Sequence, residues 1–346
     1  MFELTEDFPF NLFSIEASGG TKPIYIGSPF SGYPRAIKGC VSYTQHSLLI
    51  DSNIMIDIIE GRNTNSIRML LTLLHTHKMK FSIIFAASEI YLTYHNPDEA
   101  IESFALALKN DHGVAFPIGD IDKIADIIKV NLEDIRKQIT VMKDYLIIVK
   151  NIFLMGGGVK KHTKALTEII KYNNLPQFGF AMLLSLVLFY ARKNQAEFDT
   201  KMISKIDTDM QIKKSRKEEE KLLNNVARDI CLYLACADAF YHFSDQVNEV
   251  SWLASGDATV GLMLSEIHFT KFNYQEKKSD KNATVCLAEV DLRKDAKSYK
   301  TLKPIISKYW GENLNYLSLD NKDINEKRIN LRSFAESIMN NYKWEA

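Results

Sequence analysis

A short apolar run that ends at a polar residue marks the first strong structural signal of the chain. Leu48–Ile50 lead directly into Asp51, and the segment IMIDIIEG at 54–61 continues with helical periodicity. Gly61 is a residue type that ends helices readily. This pattern predicts a buried strand followed at once by a helix, with a carboxylate at the junction.

The same alternation repeats further along the chain. Residues 66–80 carry apolar side chains at helical spacing, and FSIIFAA at 81–87 predicts a second buried strand. The next segment predicts a helix that Ser88 caps. The strand–helix–helix–strand–helix order is typical of an α/β fold, with a parallel sheet flanked by helices.

Helical periodicity replaces the strand pattern from about 97 to 220. Within this stretch FGFAMLLSLVLFYA, at 178–191, is shorter than the ~20 residues that cross a bilayer, so it predicts a buried helix. The α/β pattern resumes with NNVARDICLYLACADAFYHF at 224–243, followed by VSWLASGDAT at 250–259, a helix at about 260–267 and a strand at 281–294. We therefore predict an α/β domain interrupted by a large helical insertion.

The predicted organisation has five segments. They are an N-terminal strand and turn extension at 1–45, the first half of the α/β domain at 46–96, the helical insertion at 97–220, the second half of the domain at 221–295, and a C-terminal helical extension at 296–346.

Composition narrows the class of protein. Hydrophobic residues make up 46% and charged residues 25%, and the 43 basic residues equal the 43 acidic ones. With no net basic field, a nucleic-acid partner has to bind a local patch. The four cysteines lack zinc spacing, and the N-terminus lacks a secretory signal. We expect a cytoplasmic protein without a membrane segment.

Four acidic residues fall where the predicted fold brings side chains together. Asp51 ends the first strand, Glu89 follows the second, Asp238 lies in an alanine-rich helix, and Asp257 follows the strand VSWLAS. The carboxyl ends of parallel strands meet at one edge of a sheet, where α/β proteins bind ligands. Converging carboxylates repel one another unless cations neutralise them, and oxygen ligands favour Mg²⁺ or Mn²⁺. The acids therefore predict a metal site.

Four motifs in this order resemble the PIN-domain family of metal-dependent nucleases. They are LLIDSN at 48–53, FAASEIY at 85–91, ACADAFYHF at 235–243 and LASGDAT at 253–259. The resemblance implies a PIN-like fold, with metal ligands at Asp51, Glu89, Asp238 and Asp257. It also implies that Asn53 and Ser255 support these acids by hydrogen bonding. The stretch between the second and third motifs is far longer than in compact members of the family.

By this resemblance we expect a Mg²⁺- or Mn²⁺-dependent endoribonuclease, a hydrolase of the toxin-like or defence type. A metal-activated water would cleave phosphodiester bonds in RNA. The alternative is a catalytically weak PIN-like scaffold that binds protein or RNA through the helical insertion at 97–220. A regulatory protein partner at this insertion, and a homo-oligomer, are further expectations.

Other interpretations of the same residues stay open. Asp51 can cap the helix that follows it, Glu89 can be a first-turn acid, and Asp257 can be a turn residue. Asp229 is an alternative third acid. The glycines at 156–158 lack the pattern of a phosphate loop or a dinucleotide site, so we interpret them as a flexible hinge.

Overall fold

The structure is a computed structural model that describes part of the chain. It describes residues 13–15, 22–29, 43–115, 118–239, 247–277, 280–311, 322–342 and 344. Most of the predicted N-terminal extension, 1–45, lies outside these residues. In the described part, no helix is both long enough and apolar enough to span a bilayer.

The chain contains strands and helices in a mixed order. The strands are β1 (Phe13–Ile15), β2 (Ile24–Gly27), β3 (Tyr43–Ile50), β4 (Lys80–Ser82), β5 (Val247–Ser255), β6 (Ile267–Lys277) and β7 (Asp280–Leu292). The α-helices are α1 (Ser52–Ile59), α2 (Thr64–Thr76), α3 (Ile84–Thr93), α4 (Pro97–His112), α5 (Ile118–Leu154), α6 (Val159–Tyr172), α7 (Gly179–Lys193), α8 (Thr200–Asp209), α9 (Arg216–Ala239), α10 (Ala258–Glu266), α11 (Tyr299–Trp310) and α12 (Lys322–Asn341).

Contacts within the chain divide it into two compact units. The first unit comprises residues 1–137 with 232–264, and the second comprises residues 138–231 with 265–346. The segment boundaries inferred from the sequence stay a prediction.

A small mixed sheet forms the centre of the first unit. Its strand order is β1-β2-β5-β3-β4, and β3, β4 and β5 run parallel. β2 pairs antiparallel with β5, and β1 with β2. The long β3–β5 ladder ends with Ile50 opposite Ala254. The next residue of each strand, Asp51 and Ser255, therefore emerges at the same edge of the sheet.

Helices α1, α3 and α4 pack together beside this sheet. Helix α1 buries Ile54, Met55 and Ile58, and α4 buries Ile101 and Phe104. The predicted α/β class, with parallel strands flanked by helices, is confirmed at this level.

The second predicted strand is much shorter than expected. β4 ends at Ser82 and α3 begins two residues later, so the strand predicted at 81–87 is wrong for most of its length. The buried positions Ile83, Ala86, Ala87 and Ile90 have the spacing of one helix face. An apolar run of this length fits a strand or a buried helix equally, and the helix is what forms.

Ser88 and Glu89 consequently lie inside α3. The Ser88 hydroxyl donates to the Ile84 carbonyl oxygen at 2.7 Å, so the predicted cap at Ser88 is wrong. The helix predicted at 66–80 also ends early, at Thr76. Lys78 has a φ of 50°, in the left-handed region, and turns the chain towards β4.

A buried helix lies at the centre of the second unit. Every residue of α7 from Gly179 to Ala191 is buried, which confirms the prediction made for 178–191. Helix α7 packs against α6, α8, α11 and β7. The predicted strand at 281–294 corresponds to β7, which pairs antiparallel with β6. The stretch predicted to be a C-terminal helical extension contains α11 and α12.

An ion pair is fully enclosed in this unit. The Lys150 ammonium lies 2.5 Å from a carboxylate oxygen of Glu219, and both side chains are essentially inaccessible to solvent. The same ammonium donates to the Asp209 carbonyl oxygen at 3.0 Å, and Glu219 accepts from the Lys213 amide at 2.9 Å. Burial lowers the pKa of Lys150, while the contact with Glu219 opposes that shift. The pair joins α5 to the end of α8 and the start of α9.

Candidate functional site

The candidate site forms at the carboxyl edge of β3 and β5, and Asp51 is its buried centre. Asp51 is 0% exposed and occupies the N-cap of α1. Its Oδ1 accepts from the Ile54 amide at 2.8 Å. Its Oδ2 accepts from the Ser255 hydroxyl at 2.7 Å and from the Gly256 amide at 3.1 Å. The cap interpretation of Asp51 is therefore confirmed, and the carboxylate also bridges to the neighbouring strand.

Asp257 plays a similar part at the start of α10. Its Oδ1 accepts from the Thr259 amide at 2.7 Å and from the Val260 amide at 3.4 Å. The Asp257 amide donates to the Ser255 hydroxyl oxygen at 3.0 Å. Ser255 is buried. Its hydroxyl connects the two helix starts, because it donates to Asp51 and accepts from the amide of Asp257. The structure gives Ser255 hydrogen bonds of the supporting kind that the motif implies.

Glu89 reaches the site from the middle of α3. Its Oε2 accepts from the Ser52 amide at 3.1 Å, so it also binds the first turn of α1. Glu89 is half-buried, and its charge acts directly on Asp51. The predicted first-turn position of Glu89 is wrong, but the residue still lies beside Asp51.

The electrostatics of Asp51 are unfavourable to its charged form. Burial raises the pKa of Asp51 to about 7, and the Glu89 carboxylate adds to the rise. Hydrogen bonds from Ile54, Ser255 and Gly256 oppose it without cancelling it. Near neutral pH, an approaching cation therefore favours loss of the Asp51 proton to solvent, because it stabilises the carboxylate form.

The remaining predicted residues are placed less centrally. Asn53 is exposed on α1, and the hydrogen bonds that hold Asp51 come from the three donors named above. Asp238 belongs to the last turn of α9, and its side chain lies outside the described residues. Asp229, the alternative third acid, is buried on α9 within the second unit.

The described carboxylates fit a metal ion only in part. A carboxylate oxygen offers two lone pairs, and both on Asp51 Oδ2 are used by Ser255 and Gly256. Oδ1 accepts one hydrogen bond among the described residues and keeps a lone pair for a cation, and Glu89, bound to the neighbouring Ser52 amide, acts on the same carboxyl group by its charge. Among the side chains that the structure describes, no group of three or more His, Cys, Asp or Glu residues is arranged to hold a metal.

The sequence did not point to the backbone donors that bind these acids. The amides of Ser52, Gly256 and Ile54 all donate to carboxylate oxygens at the site. The detectable signal was the position of Asp51 and Asp257, each directly before a helical segment that follows a strand. Comparisons of the chain with family models, with curated proteins and with solved structures give no match.

Proposed function

We propose that the first unit is a Mg²⁺- or Mn²⁺-dependent nuclease that hydrolyses phosphodiester bonds in RNA. The observation that carries the proposal is the buried carboxylate of Asp51 at the carboxyl edge of two parallel strands, with Glu89 close enough to raise its pKa further. Ionising a buried carboxyl group at neutral pH costs free energy, and a bound divalent cation offsets that cost.

The chain's own residues have distinct roles in this proposal. Asp51 supplies the remaining lone pair of Oδ1, and Glu89 supplies the second carboxylate. Ser255 fixes the orientation of Asp51 through its 2.7 Å hydrogen bond. Asp257 and Asp238 are the further acids that the order of the motifs assigns to the same cluster.

The cation would supply the activation of water and the neutralisation of charge on the phosphoryl group. No side chain has to act as the nucleophile. Asp51 and Glu89 would hold negative charge where the cation binds, and the hydrogen bonds to Asp51 would keep that charge in place through the reaction.

A partner-binding scaffold is the second candidate function. Asp51 and Asp257 each satisfy backbone amides at a helix start, a structural role that needs no cation. The helical segment after 97 also exposes large apolar side chains, with Leu106 58%, Ile127 50% and Val130 83% exposed. These residues favour a protein partner at α4 and the first part of α5.

A Mn²⁺ titration of thermal stability tests the metal site first. We expect the wild-type midpoint to rise with Mn²⁺ by mass action, and Asp51→Asn and Glu89→Gln to abolish the rise. Glu60→Gln is the matched control, because Glu60 is an exposed acid at the end of α1 that pairs with Arg62. An unchanged wild-type midpoint at millimolar Mn²⁺ would rule out the proposed site.

Cleavage of a labelled single-stranded RNA then tests the activity. Wild type and Glu60→Gln should cleave in Mn²⁺ and stop in excess chelator, and Asp51→Asn should be inactive. Cleavage that persists in Asp51→Asn would contradict the proposal. The partner-binding function would be favoured if the chain associates with a protein and this association is lost in Val130→Asp but kept in Asp51→Asn.

A further inference from the structure

Helices α6 and α11 lie side by side at the surface of the second unit. Both pack against α7, which is buried from Gly179 to Ala191. Trp310, at the end of α11, donates from its indole nitrogen to the Thr167 hydroxyl oxygen of α6 at 2.9 Å. Because α7 lies beneath both helices, the faces of α6 and α11 that are directed away from α7 form one outer surface.

This outer surface is strongly basic. The two helices contain seven basic residues and one acidic residue, in a chain whose basic and acidic residues are equal in number. On α6, Lys160, Lys164 and Lys171 are exposed and recur at the spacing of one helix face, over about 16 Å of its axis. On α11, Lys300 and Lys308 are exposed. The charge of the chain is therefore balanced overall but concentrated as positive charge here.

Most of these charges are not neutralised within the described part of the chain. The lysines that form no ion pair there are Lys160, Lys171, Lys300 and Lys308. Lys164 lies 3.7 Å from Glu168, and both side chains are at least half exposed, so water screens this pair. Lys303 pairs with Asp291 at 2.5 Å, and Lys161 donates to a backbone carbonyl oxygen of the preceding loop. The surface therefore keeps an excess of positive charge that an anionic partner can neutralise.

Aromatic side chains lie among the lysines. Tyr172, the last residue of α6, is 79% exposed. Tyr309 and Trp310 are half-buried at the end of α11, and the Lys308 ammonium lies over the Tyr309 ring, 5.5 Å from its centroid. The hydrogen bond from Trp310 reaches α6 within two turns of Tyr172. The three aromatic residues therefore lie in the same part of the outer surface.

We propose that the outer surface of α6 and α11 binds single-stranded RNA. The lysines would contact phosphate groups, and the rings of Tyr172 and Tyr309 would stack on bases. Proteins combine positive charge and aromatic rings in this way to bind single strands without sequence preference. The choice of RNA over DNA rests on the proposed nuclease function, whereas the charge and the aromatic rings are features of the second unit alone.

The aromatic rings favour a single strand over other polyanions. In a duplex, each base is stacked between its neighbours, whereas the unstacked bases of a single strand can stack on aromatic side chains. An anionic membrane would attract the lysines, but a helix that enters a membrane surface needs an exposed apolar face. Neither α6 nor α11, both described along their whole length, exposes a large aliphatic side chain. The surface therefore fits a partner that carries both phosphates and planar bases.

Fluorescence anisotropy with a labelled oligouridine of about 20 nucleotides tests the surface. The full chain is used in excess chelator, so that metal-dependent cleavage does not interfere with binding. We expect saturable binding, with an association constant that falls as salt is added. A plot of the logarithm of this constant against that of salt concentration should have a slope of about −3, for about four neutralised phosphates. A duplex RNA of the same length should bind more weakly.

Two variants and two controls locate the binding. Tyr172→Ala should weaken RNA binding by about tenfold or more, because one base loses its stacking partner. Tyr172→Phe keeps the ring and should bind like wild type. Lys171→Gln should weaken binding and reduce the size of the salt slope by about 0.7, because one phosphate contact is lost. Lys217→Gln removes the same charge from an exposed position on α9 and should leave both the affinity and the slope unchanged.

The absence of binding at about 50 mM salt, where such contacts are strong, would overturn the proposal. Equal losses in Lys171→Gln and Lys217→Gln would also overturn it, because the charge effect would not be local. Tighter binding of duplex RNA, of single-stranded DNA or of anionic lipid vesicles would overturn the assignment to single-stranded RNA.

Binding and cleavage can be separated, because Asp51→Asn should bind the oligouridine like wild type in chelator. Binding by wild type without any Mn²⁺-dependent cleavage would contradict the nuclease function and leave the RNA-binding surface supported. Cleavage by wild type that Tyr172→Ala and Lys171→Gln leave unchanged, together with no measurable binding in chelator, would contradict the surface and leave the nuclease function supported.

Discussion

The hydroxyl of Ser255 donates to Oδ2 of Asp51 across a pair of strands whose residues are 204 positions apart in sequence. The same hydroxyl accepts from the amide of Asp257, so one buried oxygen connects the starts of α1 and α10. Because the β3–β5 register aligns Ile50 with Ala254, this contact follows from strand pairing.

Ser255→Ala should lower the free energy of unfolding by about 1–3 kcal/mol, since a buried carboxylate oxygen loses one of its donors. Urea unfolding of the purified variant measures the loss. Ser52→Ala, at the neighbouring helix start, is the control and should change stability by no more than about 0.5 kcal/mol. Equal losses in the two variants would show that the Ser255 hydroxyl has no special role.

The pH dependence of stability should report Asp51 in the metal-free protein. Burial and Glu89 raise the pKa of Asp51 from 3.8 to about 7. The folded state therefore retains the proton, and stability falls as pH rises from 3.8 through about 7. A shift of this size corresponds to about 4 kcal/mol.

Asp51→Asn isolates this contribution, because asparagine does not titrate and is an equally good helix cap. The unfolding free energy of the variant minus that of wild type should increase by about 4 kcal/mol between pH 4 and pH 8. Urea unfolding in chelator at several pH values measures the difference. A difference that is independent of pH would show that Asp51 ionises normally in the fold.

His268 should destabilise the second unit in acid. This β6 residue is 9% exposed, and burial, followed by the charge of Arg293, lowers the pKa of His268 to about 4. Protons then favour the unfolded chain as pH falls from 6.5 to about 4, at a cost of about 3 kcal/mol.

Side-chain NMR of the imidazole nitrogens measures the His268 titration directly. We expect the midpoint near pH 4, and we expect His268→Gln to flatten the acid limb of the stability profile. An imidazole that titrates near 6.5 would contradict the prediction.

The enclosed pair of Lys150 and Glu219 should behave as a unit. Lys150→Met leaves a buried carboxylate without its cation and should cost about 3–5 kcal/mol. Lys150→Met combined with Glu219→Leu should recover most of that loss, because no uncompensated charge remains. A double-mutant cycle by urea unfolding measures the coupling. Additive losses in the double variant would indicate that the two charges do not interact.

Hydrophobic periodicity correctly predicted the elements whose apolar pattern fits only one type of secondary structure. The buried α7, the β7 strand and the strand-to-helix junction at Asp51 all follow from apolar patterning and are present in the structure. Strand β4 was mispredicted, because FSIIFAA is apolar throughout and its spacing fits strand and helix alike. Tertiary packing of Ala86 and Ala87 decides in favour of the helix.

At the candidate site, too, local sequence predicted some features and could not predict those that depend on tertiary packing. Asp51 and Asp257 were predictable because strand ends and helix caps have local signatures. The bridge through Ser255 depends on the register of two strands distant in sequence, which no local pattern encodes. The raised pKa of Asp51 arises from burial and from Glu89, and both depend on how α3 packs.

In the sequence, helices α5 and α7 come between β3 and β5, the two strands that complete the candidate site. During synthesis, β3 leaves the ribosome almost two hundred residues before its partner β5, and until then Asp51 has no Ser255 to bind. Contacts of such long range form late, after the loop-closure entropy has been overcome. In a nascent chain that ends before residue 255, the edge of β3 that pairs with β5 is therefore incomplete beside Asp51. The proposed activity is then delayed until most of the protein has been translated.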